Sequence, residues 1–188
     1  LYILGKRLKS RGMLNHDTVV ATVMSNSGFF ASLEEAGIKC VQTNVGDRFV
    51  YECMQSNNYG LGGEQSGHII LKKYATTGDG LLTAIMLTEE VCDTKSSLAK
   101  LKEPVKLYPQ LTVNLRVKDK GAVLSDEAVL EAKDKVEALI NGKGRALLRQ
   151  SGTEPVIRVM IESESEDKCR EYCDIIASVI KERGHTVG

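Results

Sequence analysis

Thr18-Val19-Val20-Ala21-Thr22-Val23-Met24, then Gly28 to Ala36 closed by Gly37, then Ile38 to Thr43: these consecutive stretches decide the fold of the first half of the chain. The β-branched run 18–24 reads as a strand, and 28–36 carries apolar residues at helical spacing with a glycine behind them as a stop. The run 38–43 returns to strand character. Strand, helix, strand in such close succession is a βαβ unit, which places its two strands parallel in one sheet.

Outward from there, Asp47 to Gln55 reads as a helix whose apolar face is Phe49, Val50, Cys53 and Met54. A glycine-rich loop follows, then a strand His68 to Lys72 and a helix from about Gly80 to Cys92. Two prolines bracket the polar stretch Lys102 to Pro109, and the order of elements changes after it, which predicts a domain boundary at 104/105. Beyond lie a strand Thr112 to Val117, a helix Asp126 to Ile140 led by Ser125, strands Arg145 to Arg149 and Val156 to Glu162, and a last helix. Ser163 with Glu166 reads as a capping box for that helix, and Gly184 as its stop. The fold class expected is α/β plus α+β: a βαβ domain over 1–104, then a small antiparallel sheet over 105–188 with helices packed on one face.

Composition removes several function classes. No run of about 18 apolar residues is present, so no membrane partner is expected. Lys plus Arg and Asp plus Glu both number 25, which leaves no basic surplus for a nucleic-acid partner. Five cysteines without a C-x-x-C pair argue against a disulfide framework or zinc ribbon and point to a reducing, cytoplasmic compartment. Cys169 and Cys173, four apart on a helix, are read as core residues. Leu1 to Arg11 has neither a leader pattern nor a starting Met and reads as a piece that begins within a helix.

Three loops carry residues suited to binding. Arg149-Gln150-Ser151-Gly152-Thr153-Glu154-Pro155, between two strands and followed by Arg158, has the parts of an anion cradle. Gly152 admits a ligand close to the backbone, Ser151 and Thr153 add hydroxyls, and Arg149 and Arg158 offer bidentate forks; a plain hairpin turn is the alternative. Gly60 to His68 sets Glu64, Ser66 and His68 among four glycines, a donor and acceptor mixture that suits sugar hydroxyls; here the alternative is a turn with a structural histidine. Val45-Gly46-Asp47-Arg48 follows a strand of the βαβ unit, where Asp47 and Arg48 either meet a ligand or merely begin a helix. Gly78-Asp79-Gly80 is read as a helix cap, not a metal loop. No G-x-G-x-x-G or P-loop pattern is present, which weakens a nucleotide-binding reading.

Taken together, Gly63-Glu64-Gln65-Ser66-Gly67-His68 resembles the sugar-binding loop of the α-D-phosphohexomutases, and Arg149 to Pro155 resembles their phosphate-binding loop. Thr18 to Asn26 and Thr76-Thr77-Gly78-Asp79-Gly80 further resemble the phosphoglucosamine mutase branch, and the similarity extends over essentially the whole chain. The family has four domains around a cleft: a phosphoserine domain, an aspartate-rich magnesium domain, a sugar-loop domain and a phosphate-loop domain. This chain resembles the third and fourth. It has neither a T-A-S-H-N-P type serine loop nor a D-x-D-x-D-R metal loop, so no catalytic residue and no metal site is expected in it.

The resemblance implies an intramolecular phosphotransferase of the isomerase class, interconverting glucosamine 6-phosphate and glucosamine 1-phosphate for cell-wall precursor synthesis. It also implies Mg2+ at a site elsewhere in the full-length enzyme and glucosamine 1,6-bisphosphate as intermediate. On this reading Glu64, Ser66, His68, Asp47 and Arg48 hold the sugar, while Arg149, Ser151, Gly152, Thr153 and Arg158 hold the phosphate. The partners implied are a small-molecule sugar phosphate and the N-terminal domains of the same protein, with a homodimer left open. Two alternatives stand: a phosphomannomutase or phosphoglucomutase piece, or a non-catalytic module that binds a sugar phosphate.

Overall fold

All five residues of β1 (Thr18–Thr22) are buried, and the first half of the chain is built around this strand. The computed structural model describes residues 1–187 and divides the chain into two units, Leu1–Leu107 and the part from Tyr108 onward. In the first unit β1 runs parallel to β2 (Lys39–Thr43) and to β3 (Leu61–Gly63), and β4 (Ile69–Leu71) closes the sheet antiparallel to β3, in the order β2-β1-β3-β4. Successive side chains of a strand point to opposite faces. Val19 joins one apolar cluster with Leu4 and Leu8 of α1 (Tyr2–Ser10), Leu33 of α2 (Ser27–Glu35), Leu61 and Ile69. Val20 joins another with Ile70 and with Val50 and Met54 of α3 (Asp47–Ser56). Helices on both faces explain why β1 is buried throughout instead of on one face only.

Several boundaries differ from the sequence reading for local reasons. β1 stops at Thr22 because the Ser25 N–H donates to Thr22 O (3.0 Å) and Asn26 caps α2, its side chain accepting from Gly28 N (3.0 Å). Part of the stretch read as a glycine-rich loop, Leu61–Gly63, is the strand β3. A Cβ on Gly62 would lie 2.6 Å from Met54 Sδ and 2.8 Å from Val50 Cγ1, so only glycine lets α3 lie this close to β3. Asp79 caps α4 (Gly80–Thr94), its Oδ1 accepting from Leu82 N at 2.9 Å, as the sequence reading holds. α4 is tied to α1 by a buried charge: Arg7, 3% exposed, reaches Glu89, Glu90 and Asp93 at 2.7, 2.7 and 2.8 Å. A short helix α5 (Leu98–Lys102) follows, which the sequence reading left out.

The second unit is an antiparallel sheet, β5 (Gln110–Arg116), β6 (Arg145–Gln150) and β7 (Val156–Glu162), in the order β5-β7-β6. Ile157, Val159 and Ile161 point to one face, where they pack with Val129, Val136 and Ile140 of α7 (Glu127–Ile140) and Ile176 and Ile180 of α8 (Glu166–Glu182). Cys169 and Cys173 lie fully buried in this cluster, and burial pushes the Cys173 thiol up to about 11. Two caps differ from the expected ones. An unforeseen helix α6 (Lys120–Ser125) takes Ser125 as its last residue, and the cap of α7 is Asp126, which accepts from Ala128 N at 3.0 Å. The cap of α8 is Ser165, which accepts from Lys168 N at 3.3 Å, while Ser163 is buried with its N–H donating to Pro109 O, so no capping box forms. No described helix is long and apolar enough to cross a membrane.

The Gly62 contact sets one expectation. Gly62→Ala should lower the unfolding free energy in urea by about 1–3 kcal/mol, the usual cost of overpacking. Gly152→Ala, where a Cβ meets nothing within 4 Å, should leave it nearly unchanged; equal midpoints for both variants would mean that α3 yields freely. A second expectation concerns acid. His185 Nε2 lies 2.8 Å and Arg183 Nε 2.9 Å from Asp126 Oδ2, and these hydrogen bonds, His185 first, hold the Asp126 carboxyl at about 2. A carboxyl with its folded pKa below its unfolded value of 3.8 stabilises the fold above that value and stops doing so as pH falls toward 2. Asp126→Asn keeps a capping side chain, so at pH 5 it should unfold at lower urea than the parent protein, with the difference closing between about pH 4 and pH 2. A difference that stays constant over that range would show that the Asp126 charge is not the cause.

Candidate functional site

The parallel strands β1, β2 and β3 end side by side, with Thr22 opposite Thr43 and Ala21 opposite Gly63, so three loops leave one edge of the sheet. This is the edge at which α/β sheets bind ligands. Glu64 begins the third loop, and its Oε1 accepts the Gly46 N–H at 3.0 Å, joining it to the second. A tight turn shapes the rest: Gly67 N–H donates to Glu64 O (3.1 Å), and Glu64 N–H donates to His68 O (3.0 Å). Gly67 takes φ 95°, a value that favours glycine, and this leaves Gln65 and Ser66 exposed at the tip. Glu64 thus holds a neighbouring loop with one oxygen and presents the other.

His68 leaves the turn just before β4. Its Nε2 accepts the Gly78 N–H at 3.1 Å and lies 3.4 Å from Asp47 Oδ2. One ring nitrogen cannot accept from Gly78 and donate to Asp47 at the same time. The shorter contact assigns Nε2 as acceptor, with the proton on Nδ1. A Cβ on Gly78 would sit 2.6 Å from three atoms of the imidazole, so the ring packs flat on that glycine and the 76–80 loop becomes its support. Asp47 spends Oδ1 on the Arg48 N–H (2.8 Å). Arg48 is 82% exposed and turns to solvent, its Nε donating to Glu52 Oε1 at 2.7 Å. An exposed pair of this kind contributes under about 1 kcal/mol and restrains the arginine little. A cavity of about 690 Å³ opens beside the turn, lined by Glu64, Gln65, Ser25 and Asn26 together with apolar groups such as Tyr2 and Phe29.

In the second unit the hairpin between β6 and β7 holds the other predicted residues. Arg149 stands directly opposite Arg158 in the strand register, and Asn114 of β5 stands opposite Arg158 on its other side. Their neighbours Ile157 and Val159 point into the core, so this row lies on the sheet face that α7 and α8 do not cover. Arg116, two residues from Asn114, shares that face. Like charges directly opposite are unfavourable, and among the described residues none of Arg116, Arg149 or Arg158 has an ion-pair partner. The loop itself is nearly closed in hydrogen bonds. Ser151 N–H donates to Val156 O (2.9 Å), Val156 N–H to Glu154 O (2.8 Å), and Glu154 N–H to Ser151 Oγ (3.3 Å). Ser151 is buried, Gly152 and Thr153 are exposed, and their two successive N–H groups have no partner among the described residues. Lys120 Nζ donates to Ser151 O (2.8 Å) and Glu154 O (3.3 Å) from beneath.

The structure therefore brings Glu64, Ser66, His68 and Asp47 together in one unit, and Arg149, Ser151, Gly152, Thr153 and Arg158 in the other, while Arg48 is drawn off by Glu52. Sequence reasoning missed Ser25, Asn26, Gly78, Asn114, Arg116 and Lys120. The strand-end rule that selected Asp47 applies equally to Ser25 and Asn26. Asn114 and Arg116 show only once the strand register is known. Among the described residues, no group of three or more His, Cys, Asp or Glu side chains is placed to hold a metal ion.

Comparison with known proteins adds the family. The model for "Phosphoglucomutase/phosphomannomutase, alpha/beta/alpha domain III" matches residues 1–108, and that for the C-terminal domain of the same family matches 113–179. Phosphoglucosamine mutase of Geobacillus kaustophilus is 51% identical over 181 residues, 96% of this chain and 40% of that protein. The Bacillus subtilis phosphoglucosamine mutase is likewise 51% identical, again over 96% of this chain and 40% of its own length. The chain thus spans about two fifths of the curated relatives it matches. Among solved structures, Aspergillus fumigatus N-acetylphosphoglucosamine mutase in complex with GlcNAc-6P and magnesium has the same fold, with a TM-score of 0.76 at 16% identity over 97% of this chain and 42% of that one. A phosphoglucomutase/phosphomannomutase family protein of Burkholderia thailandensis has a TM-score of 0.76 at 21% identity over 97% and 41%. With more than half its length matched by the third-domain model alone, the chain belongs to the phosphoglucomutase/phosphomannomutase family and carries its third and C-terminal domains.

Proposed function

We propose that this chain is the substrate-holding half of a phosphoglucosamine mutase, working in the cytoplasm on glucosamine 6-phosphate and glucosamine 1-phosphate. The observation that carries the reading is the β6–β7 hairpin. Among the described residues, two directly opposed arginines have no ion-pair partner and two successive N–H groups have no hydrogen-bond partner, a donor set that suits a phosphate. The relatives at about half identity bear the same activity name, which supports the amino sugar over mannose or glucose.

In this reading the phosphate that is not reacting rests on Arg149, Arg158 and the Gly152 and Thr153 amides, with the Thr153 hydroxyl as a further donor. Glu64 and Ser66 hold the sugar, the free Glu64 oxygen taking a hydroxyl or the ammonium of the 2-position. A sugar held at both ends keeps its reacting phosphate in line for transfer, and such positioning is the main protein contribution to phosphoryl transfer. The transfer itself belongs to a phosphoserine in the part of the relatives that this chain does not span, with glucosamine 1,6-bisphosphate as the intermediate. Magnesium would supply charge neutralisation at that serine, and its ligands are not among the residues described here. The isolated chain binds and does not turn over.

Two measurements test this. Charge-assisted hydrogen bonds contribute roughly 1.5–3 kcal/mol each, so Arg149→Ala should weaken glucosamine 6-phosphate in calorimetric titration by about one to two powers of ten. Arg149→Lys should recover only part, because it keeps charge and loses the fork. Unchanged affinity in a folded Arg149→Ala protein would reduce the hairpin to a turn. Glu64→Gln keeps an oxygen for Gly46 N–H and removes the charge. It should weaken glucosamine 6-phosphate by about fivefold, the difference between a charged and a neutral hydrogen bond, and leave inorganic phosphate untouched; an equal loss for both ligands would refute the division of labour.

A further inference from the structure

We propose that Lys120 is a positioning residue for the anion site, fixing the direction of the Gly152 amide through the Ser151 carbonyl behind it and holding the far end of the loop at Glu154 O. The inference rests on reading the 149–155 hairpin as a phosphate cradle, and it assigns a role to a residue outside that loop.

The geometry begins with the peptide plane. In a trans peptide the C=O of one residue and the N–H of the next point in opposite directions, and no cis peptide occurs among the described residues. Lys120 Nζ draws Ser151 O toward itself at 2.8 Å. The Gly152 N–H on the far side of that peptide is therefore turned away from Lys120, outward from the loop. The second carbonyl that Lys120 holds, Glu154 O at 3.3 Å, is followed by Pro155, which has no N–H to turn. Lys120 thus grips the loop on both sides of the Gly152-Thr153 pair and turns the Gly152 N–H outward.

Every other backbone N–H of the loop from Ser151 to Val156 is spent. Ser151, Glu154 and Val156 donate within the loop, and Pro155 has none. Gly152 and Thr153 are what remains, and both are exposed. Gly152 does not take positive φ, and a Cβ on it would meet nothing within 4 Å. Its glycine is not demanded by the turn, which is consistent with space kept for an anion against the backbone.

The placement of Lys120 also runs against local preference. It is the first residue of α6, where a cation opposes the helix dipole. Asp119 compensates by capping the same turn, its Oδ1 accepting from Gly121 N (2.7 Å) and Ala122 N (3.2 Å), and so fixes the backbone from which Lys120 reaches across to the hairpin. Lys120 is half-buried and has no carboxylate partner among the described residues, so its charge is directed at the two carbonyls.

The test is an NMR titration of the 188-residue chain with inorganic phosphate, following the Gly152 and Thr153 amide signals in the parent protein, Lys120→Met, Lys120→Arg and Arg149→Ala. Lys120→Met should weaken phosphate about tenfold with the melting temperature little changed, and should shift both amide signals before any phosphate is added. Lys120→Arg, which can donate to both carbonyls, should restore most of the affinity and the parent signals. Phosphate affinity of Lys120→Met within twofold of the parent overturns the proposal. So does a loss that leaves the two amide signals in place and vanishes in 0.5 M salt, since that would make Lys120 a remote charge and no positioning group. A parent protein that does not bind phosphate, or an Arg149→Ala variant that binds it equally well, removes the cradle reading and Lys120 with it. That failure is recognised by Arg149, and the specific failure of Lys120 by an Arg149→Ala loss that Lys120→Met does not share.

Discussion

No side chain fits between α3 and β3, and the organisation of the first unit follows from that closeness. Gly62 lies under Met54 and Val50, and a Cβ on Gly63 would come within 2.4 Å of His68 O. The first glycine lets the helix settle on the sheet, and the second lets the chain fold back so that His68 and Glu64 meet across the turn. The same four-residue stretch therefore sets helix packing and aims the Glu64 carboxylate. Because β3 is hydrogen-bonded to β1 on one side and β4 on the other, the turn that follows it leaves an interior strand of the sheet before it enters the edge strand β4. Such anchoring is what holds a binding loop to the fraction of an ångström that positioning requires.

In the proposed reading, the two candidate loops meet different ligand groups with different materials. Sugar hydroxyls both donate and accept, and the first unit offers a carboxylate oxygen, a hydroxyl and an imidazole, two of them steadied by a backbone contact: Gly46 N–H to Glu64 and Gly78 N–H to His68. A phosphate only accepts, and the donors in the second unit are two guanidinium forks and a pair of amides. Four of the hairpin's carbonyls are already engaged: Ser151 and Glu154 face Lys120, Pro155 accepts from Val117 N–H, and Val156 accepts from Ser151 N–H. A loop that exposed those oxygens would repel the anion that its arginines attract.

The sequence carried the fold class and the order of most elements because β1, α2 and β2 have strong periodicity and clear stops. It failed where a signal had two physical meanings. Glycines at 60, 62 and 63 read as flexibility, whereas Gly62 and Gly63 mark close approach inside a strand. Ser163 and Glu166 have capping-box spacing, yet Ser165 caps α8 because Ser163 is buried with its N–H on Pro109 O. Arg48 looked as available as Asp47 until Glu52, one turn away, took its Nε. Cross-strand neighbours such as Asn114 and Arg116 are invisible without the register, since their separation of more than forty residues from Arg158 is fixed only by how β5 pairs with β7.

Net charge says nothing about how the cations of this chain are distributed, whereas the pairing of individual cations does. The chain is formally neutral, with 25 charges of each sign. Of its nine arginines, Arg7, Arg11, Arg48, Arg145 and Arg183 are each paired with a carboxylate within the structure. Arg116, Arg149, Arg158 and Arg170 have no ion-pair partner among the described residues. Arg170 stands alone on α8, while the other three share one face of one small sheet. An even scatter of unpaired cations would be ordinary surface, but their concentration on the face that carries the 149–155 hairpin raises the local potential where the loop has turned its amides outward. Screening at physiological salt confines that potential to about 8 Å, so it favours an anion seated at the hairpin and not the general surface. If the proposed site holds a phosphate, a formally neutral chain does so through three arginines that have no ion-pair partner among the described residues.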